Sequence, residues 1–157
     1  MKSLVVVADD PLTIRSNRFA LRHAAGFRVI STIDGRGSAR AELARLCPDV
    51  ILVNDMCQRT NVLARIRDAS EAAPEAKVVL LSGRMDGPSF DDAFAAGADA
   101  VIARTLRPAA LGLLLEQVAD GNVVHAPRPP RVPEEPARVA RLVAVADQDA
   151  SAARTSA

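Results

Sequence analysis

The chain has 157 residues, 49% hydrophobic and 25% charged, with a net charge of +1. That length and apolar share suit one globular domain with a real core and a short appendage, so a second full domain is not expected. The balanced charge shows no broad electrostatic footprint for nucleic acid or anionic lipid, without excluding either, and no apolar stretch reaches the roughly 20 residues of a membrane span, so a cytoplasmic protein with no membrane partner is expected.

In chain order, short aliphatic runs alternate with longer segments of helical periodicity. Leu4 to Ala8 is apolar throughout and ends on Asp9-Asp10; the segment Pro11 to Ala25 follows, with Pro11 suited to a first helical turn and Gly26 to the position past a helix end. Arg28 to Thr32 is the second run and Ser38 to Leu46 the second helical segment. Val50 to Val53 runs into Asn54-Asp55 and is followed by Asn61 to Ala73. Val78 to Leu81 ends on Ser82 and precedes Ser89 to Ala96, closed by Gly97. Ala100 to Ala103 ends on Arg104, and Pro108 to Asp120, closed by Gly121, completes the series. This is the pattern of repeated βα units, and three of the runs are apolar nearly throughout, as parallel strands covered on both faces require. Four runs then deliver Asp9-Asp10, Asn54-Asp55, Ser82 and Arg104 to one sheet edge, where open α/β sheets bind their ligands.

The domain is placed at residues 1–125. Pro127, Pro129, Pro130, Pro133 and Pro136 predict a semi-rigid linker over 126–136. Over 137–157 a short helix with Val139, Leu142, Val143 and Ala146 on one stripe is expected, followed by a disordered small-residue tail; so short a helix needs a surface to dock on. Cys47 and Cys57 lack metal-ligand spacing and read as ordinary thiols. His23 and His125 have no partner at catalytic spacing and read as structural.

Spaced blocks resemble a known family. Val5-Val6-Val7-Ala8-Asp9-Asp10-Pro11-Leu12, Pro48-Asp49-Val50-Ile51-Leu52-Val53, Lys77-Val78-Val79-Leu80-Leu81-Ser82-Gly83 and Ala95-Ala96-Gly97-Ala98-Asp99-Ala100-Val101-Ile102-Ala103-Arg104 are similar, in order and spacing, to bacterial response-regulator receiver domains (CheY-like, of the LuxR/NarL-type branch). The likeness spans residues 3 to 126. It implies a flavodoxin-like (βα)5 fold, a doubly wound parallel sheet of strand order 2-1-3-4-5, here with a C-terminal extension. It also implies a chemistry: an aspartate attacks a phosphoryl group to form an acyl phosphate, with Mg²⁺ neutralising the transferred charge. By resemblance Asp9 and Asp10 are the metal ligands, while Ser82 hydrogen-bonds the phosphoryl group and Arg104 pairs with it.

The chain departs from that pattern. Four apolar residues after Pro48-Asp49 put Asn54 at the phosphoacceptor position, and an amide is neither a useful nucleophile for phosphate nor an anionic Mg²⁺ ligand. Asp55 is the alternative acceptor, reached only if a bulge or an early strand end shifts the register. The Met-Pro-Gly-type loop after the acceptor is replaced by Cys57-Gln58-Arg59-Thr60-Asn61. Arg104 replaces Lys, and Val101 stands where the family has an aromatic residue.

These features predict a non-enzymatic, atypical, phosphorylation-independent receiver that regulates a partner or transcription through protein contacts or homodimerisation, with weak or absent Mg²⁺ binding if Asn54 holds the acceptor position. Leu111, Leu114, Leu115 and Val118 of the last helix are the candidate contact face, although most of them should face the sheet. The alternatives are a Mg²⁺-dependent phosphorelay receiver using Asp55 and a small-ligand-responsive module built on the altered 57–61 loop. Glu134 to Val143 is faintly similar to the start of the branch's DNA-binding region, but too few residues follow to complete it, so independent DNA binding is not expected. The sequence specifies no cognate kinase or pathway.

Overall fold

The aliphatic runs form strands because both of their faces are covered. In the computed structural model, which describes residues 1–122 apart from His23 and Ala25, five βα units follow one another. They are β1 (Lys2–Ala8), α1 (Pro11–Leu21), β2 (Phe27–Asp34), α2 (Arg40–Leu46), β3 (Val50–Asn54), α3 (Arg59–Ala72), β4 (Lys77–Ser82), α4 (Gly87–Ala96), β5 (Ala100–Ala103) and α5 (Pro108–Ala119). The sheet is parallel throughout, in the order β2-β1-β3-β4-β5 that the resemblance implied. The predicted linker, terminal helix and tail, with His23 and His125, lie outside the described residues.

Strand parity divides the core in two. Leu4, Val6, Val50, Leu52, Val79, Leu81 and Ile102 pack with Leu21 of α1 and Leu111, Leu115 and Val118 of α5. On the other face Val5, Val7, Ile51, Val53, Val78, Leu80 and Val101 pack with Leu43 of α2, Val62 and Ile66 of α3 and Phe90 of α4. As expected for most of the stripe, Leu111, Leu115 and Val118 are spent on the sheet, and Leu114 is half-buried against the same cluster, which leaves little of it for a contact face. The exposed large apolar side chain of α5 is Leu113.

Element ends differ from the sequence reading where polar residues masked them. β2 extends on both sides of Arg28 to Thr32, and its pairing with β1 shifts between Leu4 and Val5, so that Val29 and Ser31 face consecutive partners and Ile30 is the extra residue. This edge strand carries Ser31, Thr32 and Asp34, which hide a strand signal. α4 begins at Gly87 instead of Ser89 because Asp86 is its N-cap, accepting from the Ser89 N–H at 2.8 Å, with Pro88 in the first turn. α3 starts two residues before Asn61. α1 stops at Leu21, where the Arg22 N–H bonds back to Arg18 and Phe19, before the chain turns into Gly26.

Gly97 closes α4 in the left-handed region at φ 116°, and a β-carbon there would lie 2.5 Å from Ser70 Oγ and 2.6 Å from Ser70 Cβ on α3. Strain and clash act together. Gly97→Ala is therefore expected to lower the urea unfolding free energy by about 1–3 kcal/mol; a value within experimental error of wild type would mean that the α3–α4 contact yields freely.

Candidate functional site

The carboxyl ends of β1, β3, β4 and β5 converge, as strand order dictates, and a cleft of ≈ 310 Å³ opens there. Asp10, Leu12, Thr13, Ser16, Asn17, Asn54, Asp55 and Arg104 line it. Of the six residues singled out from sequence, Asp10, Asn54, Asp55 and Arg104 thus share one cavity. Asp9 and Ser82 stand outside its lining, each bonded to a neighbour on the same edge.

Asn54 is the last residue of β3, and parity with Val50 and Leu52 turns it toward α1. β3 pairs with β4 in unbroken register from Val50 to Asn54, and the Asp55 N–H still bonds to Leu81 O at 2.9 Å, so no bulge shifts the frame there. Asn54 is 4% exposed, and its Oδ1 accepts from Nδ2 of Asn17, itself 9% exposed, at 2.7 Å. Its own Nδ2 lies 3.5 Å from Val7 O, a marginal bond. A buried amide pair therefore fastens α1 to β3. Asn17→Leu would leave Asn54 Oδ1 without this donor and is expected to cost about 1–3 kcal/mol, read as a lower urea midpoint at unchanged m; an unchanged midpoint would show that water replaces the amide.

The two acids of β1's end diverge. Asp10 caps α1: its Oδ2 accepts from the Thr13 N–H and hydroxyl, both at 2.9 Å. Those bonds, the backbone one foremost, hold the Asp10 carboxyl below its ordinary value. Asp9 Oδ2 instead accepts from the Cys57 N–H at 3.1 Å, bracing the loop that follows β3.

Asp55 turns toward β4, where its Oδ2 accepts from the Gly83 N–H at 2.5 Å and stands 3.2 Å from Ser82 Oγ. Its Oδ1 faces Arg59 Nη1 at 3.6 Å. The single Ser82 hydroxyl proton has a competing acceptor, Arg84 O at 2.9 Å, while the same oxygen accepts from the Arg84 N–H at 3.0 Å. Arg104 is placed by its backbone N–H, bonded to Ser82 O at 3.0 Å, and its exposed guanidinium passes over Gly83: a β-carbon there would lie 3.2 Å from Arg104 Nε and 3.4 Å from Asp55 Oδ2.

These residues are not preassembled as a Mg²⁺ cage. Among the described residues no group of three or more His, Cys, Asp or Glu is placed to hold a metal. Asp10 spends an oxygen on α1, Asp9 on Cys57 and Asp55 on Gly83, while the neutral Asn54 has its oxygen on Asn17.

Thr13, Ser16 and Asn17 were missed from sequence. Asp10, Thr13 and Asn17 recur at helical spacing, so one face of α1 was legible as polar; nothing local marked Arg59 or the Gly83 N–H.

Three hydrogen-bonded carboxylates also set an acid limit. Asp10, Asp49, held by the Ser3 N–H at 2.7 Å and hydroxyl at 2.8 Å, and Asp86, held by Ser89, all sit below the ordinary 3.8. Because the folded values are depressed, their contribution is complete above the ordinary value and lost as pH falls through the folded one. Stability is expected to decline below about pH 4, and Asp49→Asn to flatten that decline. Parallel urea-midpoint curves for variant and wild type would assign the acid loss elsewhere.

No protein-family model matches the chain, and no curated protein sequence does. Solved structures do. A two-component response regulator of the LuxR family from Aurantimonas sp. SI85-9A1 superposes with a TM-score of 0.69 at 19% identity, covering 92% of this chain and 96% of that one. The signal receiver domain of the response regulator NarL from Mycobacterium tuberculosis gives 0.67 at 20% identity, over 76% of this chain and 97% of that one. A protein assigned to pilus assembly, cpaE of Burkholderia thailandensis E264, gives 0.64 at 23% identity, over 76% and 99%. The chain has the fold of response-regulator receiver domains. Among the described residues no helix is long and apolar enough to cross a membrane.

Proposed function

We propose that this chain is an atypical receiver module of a response-regulator signalling system, phosphorylation-independent and non-enzymatic, which regulates a protein partner by direct contact or homodimerisation. The observation that carries the reading is Asn54 at the end of β3, buried and bonded to Asn17. An amide there supplies neither the nucleophile for an acyl phosphate nor a charge for Mg²⁺. Residues 1–125 form the module, and 126–136 join it to the segment 137–157. With the α5 stripe buried, contact falls to exposed apolar side chains elsewhere, Leu12 and Phe19 on α1 and Leu113 on α5. Direct DNA binding is not part of the reading.

The test is intact mass after incubation with a small-molecule phosphodonor and Mg²⁺, with oligomeric state followed in parallel. Unmodified protein whose self-association ignores the phosphodonor is the expected result; a Mg²⁺-dependent phosphoryl adduct would overturn the reading. A second reading has Asp55 as acceptor, favoured by its place in the cleft beside Ser82 and Gly83. Under it, Asp55→Asn abolishes the adduct and Asn54→Ala does not.

A further inference from the structure

Asp55 holds both ends of the connection between β4 and α4. At the near end its Oδ2 takes the Gly83 N–H at 2.5 Å and approaches Ser82 Oγ at 3.2 Å. At the far end it acts through Arg59, the first residue of α3, whose Nη2 donates to Ser89 O in the first turn of α4 at 2.8 Å. Arg59 Nη1 is buried without a hydrogen-bond partner, and Asp55 Oδ1, 3.6 Å away, is the anion facing it. Both side chains are mostly shielded, at 17% and 25% exposure, so solvent screens the pair less than a surface one. A single carboxylate thus closes a ring that runs through Gly83, the connection, Ser89 and Arg59.

We propose that Asp55 is an internal anionic latch that pins the β4–α4 connection and the start of α4 against the end of β3, fixing their conformation without covalent modification. The inference rests on the phosphorylation-independent reading, since a phosphorylated Asp55 would not keep these contacts. Charge-assisted bonds are the strong ones in such a ring, and an opened connection gives up only the partly buried Met85 of its packing against the core, so loss of the carboxylate releases this segment ahead of the sheet.

Amide hydrogen exchange on the full chain reads this directly. Asp55→Ala is expected to speed exchange at Gly83 to Asp86 and in the first turn of α4 by about tenfold or more, with Val5 to Val7 of β1 unchanged. Asp55→Asn, which keeps the volume and one acceptor oxygen, is expected to lie between; should Asp55→Ala fail to fold, this variant carries the test. Unchanged exchange in the connection, or a rise spread evenly over the sheet, overturns the latch. Intact mass of wild type with phosphodonor and Mg²⁺ separates the two ideas. An adduct on Asp55 overturns the phosphorylation-independent reading and the latch with it, whereas unmodified wild type with unaltered exchange in the variants overturns the latch alone.

Discussion

Asn54→Asp is expected to unfold about 3 kcal/mol more easily than wild type at neutral pH. Position 54 is 4% exposed, so the new charge is desolvated. Asn17 Nδ2 can still donate to one oxygen, but the other replaces an N–H facing Val7 O and meets a carbonyl instead. Burial favours the neutral acid, so the folded variant binds its proton more tightly than the unfolded one; the deficit grows as pH rises above the ordinary carboxylate range and shrinks below it. Added Mg²⁺ is expected to recover part of the loss, because a third carboxylate in the cleft that Asp10 and Asp55 line supplies the charge that Asn54 lacks. Thermal unfolding of both proteins with and without Mg²⁺ decides this. A variant as stable as wild type, with no Mg²⁺ effect, would mean that position 54 is not where the metal and phosphoryl chemistry has been replaced.

Asp68→Ala is expected to cost about 3–5 kcal/mol. Asp68 is 7% exposed on α3, yet its bonds serve α2: Oδ2 accepts from the Ala39 N–H at 3.1 Å and Ser38 Oγ at 3.3 Å, and Oδ1 from Arg40 Nε at 3.0 Å. Ala39 is the N-cap of α2 and has no side chain to cap with, so a carboxylate from the next helix does it. The same Oδ2 lies 2.9 Å from Nε of Arg65, close but without hydrogen-bond alignment, while Arg65 Nη1 bonds to Gly37 O. Removing Asp68 leaves a guanidinium that is 11% exposed uncompensated and a buried N–H unpaired. Asp68→Asn should lose less, since an amide oxygen can still cap Ala39. Urea denaturation measures both, and a loss for Asp68→Ala under about 1 kcal/mol would show that Arg65 finds water instead.

Asp68 and Arg65 were invisible from sequence because both lie in a helix whose pattern reads as ordinary charged surface; only the packing of α2 against α3 buries them. α5 was legible in the opposite sense: most of its stripe of Leu111, Leu115 and Val118 was expected on the sheet and lies there, although a helix cannot tell from its own periodicity what covers it.

The five βα units, their parallel arrangement and the edge on which Asp10, Asn54, Asp55 and Arg104 meet were legible in the residues alone. Runs that are apolar on both faces have few other stable solutions, and Pro11, Pro108, Gly97 and Gly121 punctuate the helices locally. The residues also carried the chemical anomaly, since Asn54 is an amide in any fold. How each polar group is spent came from the folded arrangement: Asp10 on α1, Asp9 on Cys57, Asp55 on Gly83 and Arg59, Asn54 on an asparagine 37 residues earlier in the chain. The reason is geometric. A strand's period of two settles which face a residue takes, but a hydrogen bond needs its partner within about 3 Å, and residues distant in sequence come that close only after the sheet has formed.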